Sequence, residues 1–174
     1  MKRFIAFVLL LLGPISLMAS AIDTHTIPVL DLARYMGRWY VIANIPYFLE
    51  NGKVASYDSY ALQADGTLTN NFTFRKDSLN EPEKTWHGHA EVVNKVSNAE
   101  WKVRFIWPFS ATYLVLELDP LYNWSLVGTP NGKLLWVLSR TRHLPTSTYD
   151  SIVARARARG YDTTKLALVP QPDE

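Results

Sequence analysis

The side chains able to do chemistry in this sequence are a histidine pair, scattered carboxylates and serines, and many aromatic residues. His87 and His89 lie two positions apart on a predicted strand, so they share one face and could share a metal ion. Alternation puts that face on the solvent side, and no third ligand is evident. The chain has no cysteine, which excludes a thiol nucleophile and a zinc–thiolate site. Because no serine lies in a nucleophile elbow and no carboxylate pair has a convincing context, we predict neither an enzyme nor a cofactor or metal site.

A structural pairing is predicted between Trp39 and Arg140. Gly37 stands at the start of a predicted strand, where it lets the backbone pass closely and turns the indole of Trp39 inward. Arg140 ends a strand that is otherwise apolar, and a buried charge there needs a partner. Stacking on the indole would give a cation–π contact of about 1–2 kcal/mol. The guanidinium could also donate to carbonyls of the short helical segment predicted at residues 29–36.

About eight strands are predicted to position these residues. From residue 39 to residue 139 the chain alternates strand and turn, with apolar side chains at every second place of the clearest strand. The predicted strands are 39–44, 56–62, 67–75, 85–93, 101–107, 112–118, 124–128 and 134–139. Eight antiparallel strands can close into a barrel that holds one small ligand. The sequence therefore predicts an all-β fold, an eight-stranded antiparallel up-and-down β-barrel.

A C-terminal α-helix is predicted to pack on the barrel wall. It begins at Pro145 and ends at Gly160. Its apolar face consists of Tyr149, Ile152, Val153 and Ala156. Its last turns carry three arginines, interpreted as a solvated face that suits the helix dipole: Arg155, Arg157 and Arg159. Residues 165–169 are predicted to form a short ninth strand or arm.

Residues 1–21 are predicted to be a signal peptide. Lys2 and Arg3 precede an apolar run at 4–12, and Ala19-Ser20-Ala21 supplies the small residues that a signal peptidase recognises. The run is shorter than the about 20 apolar residues of a membrane span, although a retained anchor is the alternative. Loss of this segment leaves 16 basic side chains against 16 acidic ones, from 18 and 16 in the whole chain. The remaining domain, residues 22–174, therefore has no net formal charge, which gives no indication of nucleic-acid binding.

Three segments together resemble the signature regions of the lipocalins. They are Gly37-x-Trp39, the turn Asp119-Pro120-Leu121-Tyr122 between two apolar strands, and Arg140 at the end of the last strand. The resemblance covers essentially the whole chain after residue 21 and is greatest to the bacterial lipocalin (Blc-type) subfamily. That subfamily shares a bend like Pro108-Phe109 and a segment like Leu138-Ser139-Arg140-Thr141. The resemblance implies a structural role, closing the barrel floor, for Gly37, Trp39, Asp119, Tyr122 and Arg140.

The barrel interior is predicted to be an apolar ligand cavity. Strand phase follows from Trp39, Arg140 and alternation, and for the remaining strands from the lipocalin resemblance. The predicted lining is Val41, Ala43, Tyr60, Leu68, Asn70, Phe72, Trp86, Ala90, Val103, Phe105, Trp107, Tyr113, Val115, Trp124, Leu126, Leu134 and Trp136. Asp58 or Glu117 could add a polar group, and the phase of both stays open. The alternative is a solid core filled by the same aromatics.

The function implied by the resemblance is non-catalytic binding, storage or transport of fatty acids or lysophospholipids in the bacterial cell envelope. Many relatives are lipidated outer-membrane proteins, but the cleavage site here lacks a cysteine, so we expect a soluble periplasmic protein. Peripheral contact with the outer membrane and a homodimer remain open. The alternatives are a structural or partner-binding envelope protein without a cavity and, less favoured, a lipocalin-fold enzyme. The prostaglandin-synthase type of such an enzyme needs a nucleophilic cysteine.

Overall fold

The strands and helices lie close to their predicted positions in the computed structural model, which describes residues 21–173. The strands are β1 (Gly37–Asn44), β2 (Lys53–Leu62), β3 (Leu68–Lys76), β4 (Lys84–Val92), β5 (Glu100–Arg104), β6 (Ala111–Leu118), β7 (Trp124–Gly128), β8 (Leu135–Ser139) and β9 (Ala167–Leu168). The helices are α1 (Leu32–Tyr35) and α2 (Thr146–Ala158), followed by a 3₁₀ turn at Thr163–Lys165. Apart from its last residue, the predicted signal peptide lies outside the described residues.

The first eight strands form a closed antiparallel barrel. Each strand from β2 to β7 pairs with the next in sequence, and β1 pairs with β8 on one side and β2 on the other. Closure is visible in the register of β1, where Gly37 lies opposite Tyr60 of β2 and Tyr40 lies opposite Ser139 of β8. The predicted up-and-down barrel with a C-terminal helix is thereby confirmed.

The ninth strand fills a gap between β1 and β2. β1 pairs with β2 over its first half only, and β9 pairs with the other end of β1. The amide of Val169 donates to the carbonyl of Ile42 (2.9 Å), and the amide of Ala55 in β2 donates to that of Pro170 (2.7 Å). The Gln171 side chain adds bonds to the carbonyls of both strands. The C-terminal arm thus ties the two strands together beyond the point where their own pairing ends.

The described residues pack into two apolar cores, one inside the barrel and one between the barrel wall and α2. In the outer core Ile152 and Ala156 of α2 are fully buried, and Tyr149 packs beside them. Gly160 follows the helix with φ +88°, a conformation that glycine adopts without strain and that ends the helix. Within residues 21–173 no helix is both long and apolar enough to span a lipid bilayer.

The prediction of a solvated arginine face on α2 is wrong for Arg159. Its side chain is only 17% exposed and pairs with Glu117 (Nε–Oε1 2.9 Å) and Asp23 (Nη1–Oδ2 3.1 Å). It also donates to the carbonyl of Leu116 (3.1 Å). A bulge in β6 between Val115 and Glu117 turns the Glu117 carboxylate outward to meet it. Glu117 therefore does not face the barrel interior.

Trp39 and Arg140 meet at the barrel floor. Trp39 is fully buried, and the guanidinium carbon of Arg140 lies 3.8 Å from the centroid of its indole. Arg140 donates to the carbonyls of Arg34 (2.8 Å) and Arg38 (2.8 Å), and the indole N–H donates to the carbonyl of Tyr35 (2.8 Å). The charge is thus paired with a π-face and with backbone oxygens, which offsets its desolvation.

The other signature residues hold this floor in place. Asp119 accepts bonds from the amides of the turn it begins, which fixes the β6–β7 hairpin. The Tyr122 hydroxyl accepts from the amide of Asp31 at the start of α1 (3.0 Å), and the Arg34 guanidinium stacks on its ring at 4.1 Å. Gly37 has φ +94°, which a side chain would strain. These contacts seal the end of the barrel through α1.

Candidate ligand cavity

A cavity of about 400 Å³ lies inside the barrel, above the inner core and away from the floor. It reaches the loop between β1 and β2 on one side and the loop between β5 and β6 on the other. Its volume is within the range of about 300–1,000 Å³ common for small-molecule sites. The inner aromatics therefore leave usable space rather than filling the barrel completely.

The cavity walls are aromatic and aliphatic. Tyr113 and Trp136 lie with ring centroids 4.8 Å apart, and the ring of Phe72 lies 6.1 Å from Trp86. Gly88 on β4 makes room for the Phe105 ring, because a Cβ at that position would lie only 2.6 Å from it. The glycine lets this ring lie directly on the backbone of the barrel wall.

The predicted lining residues fall into four groups. Seven lie at the cavity wall: Phe72, Trp86, Val103, Phe105, Tyr113, Leu134 and Trp136. Five lie in the inner core outside that wall: Val41, Tyr60, Leu68, Ala90 and Val115. Asn70 is buried between Leu68 and Phe72 on the inward face of β3. The remaining four, Ala43, Trp107, Trp124 and Leu126, do not face the interior.

Ala43, Trp124 and Leu126 belong to the outer core, so their predicted inward phase is wrong. For Ala43 the reason is a bulge between Val41 and Ala43, which shifts the following residues to the opposite face. For β7 the reason is cross-strand pairing. Directly opposed residues share a face, and inward Trp136 and Leu138 lie opposite Val127 and Ser125.

Trp107 is also misplaced by the sequence prediction. The predicted alternation of β5 continues to residue 107, but the strand ends at Arg104. The chain then turns, with the amide of Phe109 donating to the carbonyl of Ile106 (2.8 Å). Trp107 is consequently 81% exposed on the loop beside the cavity.

Glu50 is a cavity residue that the sequence prediction missed. It belongs to the β1–β2 loop, where no periodic pattern indicates its direction. Its carboxylate turns into the barrel and accepts from Trp136 Nε1 (3.0 Å to Oε2) and from the Asn44 amide. Burial raises the pKa of Glu50 to about 7, despite these two hydrogen bonds, which lower it.

Asp58 supplies a second carboxyl group to the cavity. It is only 4% exposed on β2, opposite Trp39 and Phe72. Burial first, and then the nearby Glu50 carboxylate, raises its pKa well above the usual range. The sequence prediction leaves open whether Asp58 points inward or outward, although Asp58 lies two positions before Tyr60, which is predicted to point inward. Strand alternation was therefore the available signal.

The ionisable groups in the cavity wall include the carboxyls of Glu50 and Asp58 but, among residues 21–173, no basic side chain: no lysine, arginine or histidine lies there. The positive charge of Lys53 lowers the pKa of Glu50, opposing the effect of burial. The Lys53 Nζ lies over the rings of Phe74 (3.9 Å) and Trp86 (4.1 Å). The His87 ring lies on the outer face of β4, with Nδ1 2.9 Å from Asn71 Oδ1. Within residues 21–173, acidic and histidine side chains do not form a three-ligand metal cluster.

Glu50 is expected to make folding stability depend on pH. Its folded pKa of about 7 exceeds the ordinary value of 4.5, so the folded state keeps a proton that the unfolded chain releases. Protonated Glu50 therefore contributes fully to the free energy of unfolding below about pH 4.5. This contribution, about 3 kcal/mol, is lost as the pH rises through about 7. Glu50→Gln should remove this part of the dependence of the free energy of unfolding on pH. Urea unfolding at about pH 4.5 and about pH 7.5 measures the change in unfolding free energy between the two pH values. An equal change in the unmodified protein and in Glu50→Gln would contradict the assignment.

Residues 30–171 match the family model described as "Lipocalin-like domain". Temperature-induced lipocalin-1 of Arabidopsis thaliana is 35% identical, with 87% of this chain and 84% of that protein covered. The outer membrane lipoprotein Blc of Vibrio cholerae is 33% identical, covering 81% and 82%. The solved structure of insecticyanin from Manduca sexta superposes with a TM-score of 0.69 at 17% identity, covering 89% and 88%. This last likeness concerns the fold alone.

The match to the family model spans the floor, the cavity and α2. The two relatives agree over most of their length, since more than four fifths of this chain and of each relative is covered. The signature contacts at the floor and the open aromatic interior above it agree with that assignment. The chain therefore belongs to the lipocalin-like family.

Proposed function

We propose that this protein reversibly binds one fatty acid or lysophospholipid per barrel and carries or stores it without chemical turnover. Members of the family are typically binding or transport proteins. The observation that supports the proposal is the cavity of about 400 Å³ with walls such as Phe72, Val103 and Trp136. An acyl chain of about ten methylenes would gain several kcal/mol there, at about 0.8 kcal/mol for each buried methylene.

Ligand binding should change the intrinsic fluorescence. Trp86 and Trp136 lie in the cavity wall, whereas Trp124 packs on the outer face of the barrel. Titration with fatty acids and lysophospholipids should give a saturable signal. Trp136→Phe should reduce that signal, and the matched variant Trp124→Phe should leave it unchanged.

Mass analysis of the bound material separates the rival functions. A carrier returns its ligand intact with one molecule per chain. Chemically altered ligand would indicate an enzyme, in which the buried carboxyls Glu50 and Asp58 would be the first candidates for acid–base roles. No binding by any acyl ligand would favour the structural or partner-binding alternative.

An apolar rim next to the cavity suggests how a lipid would enter. Phe48, Trp107 and Phe109 are 82%, 81% and 74% exposed, on the two loops that border the cavity. Exposed aromatic side chains of this kind suit the boundary between lipid and water. We propose that this rim makes a peripheral contact with the outer membrane during loading. A homodimer that buries the same rim is the alternative.

The proposed location is the bacterial periplasm. It is supported by the signal peptide predicted at residues 1–21 and by relatives named outer membrane lipoproteins. The mature domain is expected to begin at Ile22 and to be recovered mainly in the soluble periplasmic fraction, with loose membrane association. N-terminal sequencing and cell fractionation test this expectation. A retained residue 1, or recovery only with membranes, would contradict it.

A further inference from the structure

Asp58 is a buried carboxyl group whose hydrogen-bonding capacity is largely unused within residues 21–173. It is 4% exposed and lies in the cavity wall. The Tyr60 hydroxyl lies beside it as an available donor, outside ordinary hydrogen-bond geometry. Glu50 differs, since Trp136 and Asn44 both donate to it. Burying a carboxyl group with one poorly aligned donor is costly, so a molecule that brings further donors into the cavity would stabilise it.

The groups electrostatically coupled to Asp58 supply no positive charge. They come from the β1–β2 loop, α1, β2 and β6, and are Glu50, Tyr35, Tyr47, Tyr60 and Tyr113. Lys53 acts on Glu50, and it lies over the aromatic rings of Phe74 and Trp86. A negative head group placed inside the barrel would thus meet two carboxyls and no cation in its wall.

We propose that Asp58, supported by Glu50, binds the cationic amine head group of a single-chain amphiphile inside the barrel. An ammonium group offers three donors and a positive charge. Its approach favours the ionised form of Asp58, and the attraction between the two charges is strong in an apolar cavity. The faces of Tyr113 and Trp136 add cation–π attraction. A fatty acid would bind in the opposite orientation, with its acyl chain inside the barrel and its carboxylate at the mouth of the cavity, on the side of Lys53.

This inference rests on the proposed carrier function and names a preferred head group for the same cavity. Three probes with one chain length test it: dodecylamine, dodecanol and dodecanoate, titrated at about neutral pH. A charged hydrogen bond of about 1.5–3 kcal/mol predicts that dodecylamine binds about tenfold or more tightly than dodecanol. Head-group preference in the unmodified protein is the first readout and needs no variant.

Asp58→Asn is the second readout. It should weaken dodecylamine binding about tenfold and leave dodecanol and dodecanoate within about twofold, since the amide keeps the shape but not the charge. Asp150→Asn, on the exposed face of α2, is the matched control and should change nothing. Glu50→Gln should give a smaller loss than Asp58→Asn. Thermal unfolding verifies that each variant is folded.

The outcomes separate this inference from the carrier function. Equal affinity for all three probes, or an amine preference that survives Asp58→Asn, would overturn the head-group site while leaving the carrier in place. Failure of all three probes to bind would overturn both. Tighter binding of dodecylamine that falls about tenfold in Asp58→Asn, less in Glu50→Gln and not in Asp150→Asn would support the site.

Discussion

Replacing Trp39 by alanine is expected to lower the free energy of unfolding by about 3–5 kcal/mol. The indole is fully buried in the inner core, with its centroid 4.7 Å from that of Tyr35. Its removal leaves a cavity at the floor and exposes the guanidinium of Arg140 to an empty space. Urea denaturation measures the loss. Trp124→Ala, on the outer wall and only partly buried, is the matched control and should cost less.

The stacking of Arg140 on Trp39 is tested by a double-mutant cycle. Arg140→Ala alone should cost a few kcal/mol, because it removes the cation–π contact and the bonds to the carbonyls of Arg34 and Arg38. The double variant should lose about 1–2 kcal/mol less than the two single losses together. Additive losses within about 0.5 kcal/mol would mean that the two side chains are not coupled.

Val103→Trp is expected to weaken ligand binding by about tenfold or more while the barrel stays folded. Val103 lies in the cavity wall, so the larger side chain occupies space that an acyl chain needs. Val93→Trp, at an exposed position after β4, is the matched control and should bind normally. Titration of both variants with one fatty acid makes the comparison. Unchanged affinity in folded Val103→Trp would show that ligand does not enter this cavity.

Val115→Trp should behave differently, although the two valines are equivalent in sequence pattern. Val115 is buried in the inner core but does not line the cavity. A tryptophan there has no free space and should destabilise the fold by about 1–3 kcal/mol through overpacking. Its unfolding midpoint, rather than its ligand affinity, is the quantity to measure. Reduced affinity at unchanged stability would instead place Val115 at the cavity.

The sequence by itself determined the barrel and its floor. Alternation in the strands, the turns between them and the helical period after Pro145 are local properties, so strand order and the C-terminal helix could be predicted. The partnership of Trp39 and Arg140 was predictable for a related reason. A charge that ends an apolar strand requires a buried partner, and an indole at the start of the first strand can provide one.

Only the tertiary structure decided which residues face the cavity. Single-residue bulges at Ile42 and Leu116 reverse the face of everything that follows, and they arise from pairing with β8 and β7. The inward turn of Glu50 likewise depends on donors from two distant strands, Asn44 and Trp136. The surroundings of Asp58 likewise depend on a separate segment, the β1–β2 loop, which brings the Glu50 carboxyl near it. Such features follow from contacts between distant parts of the chain, which a local pattern does not record.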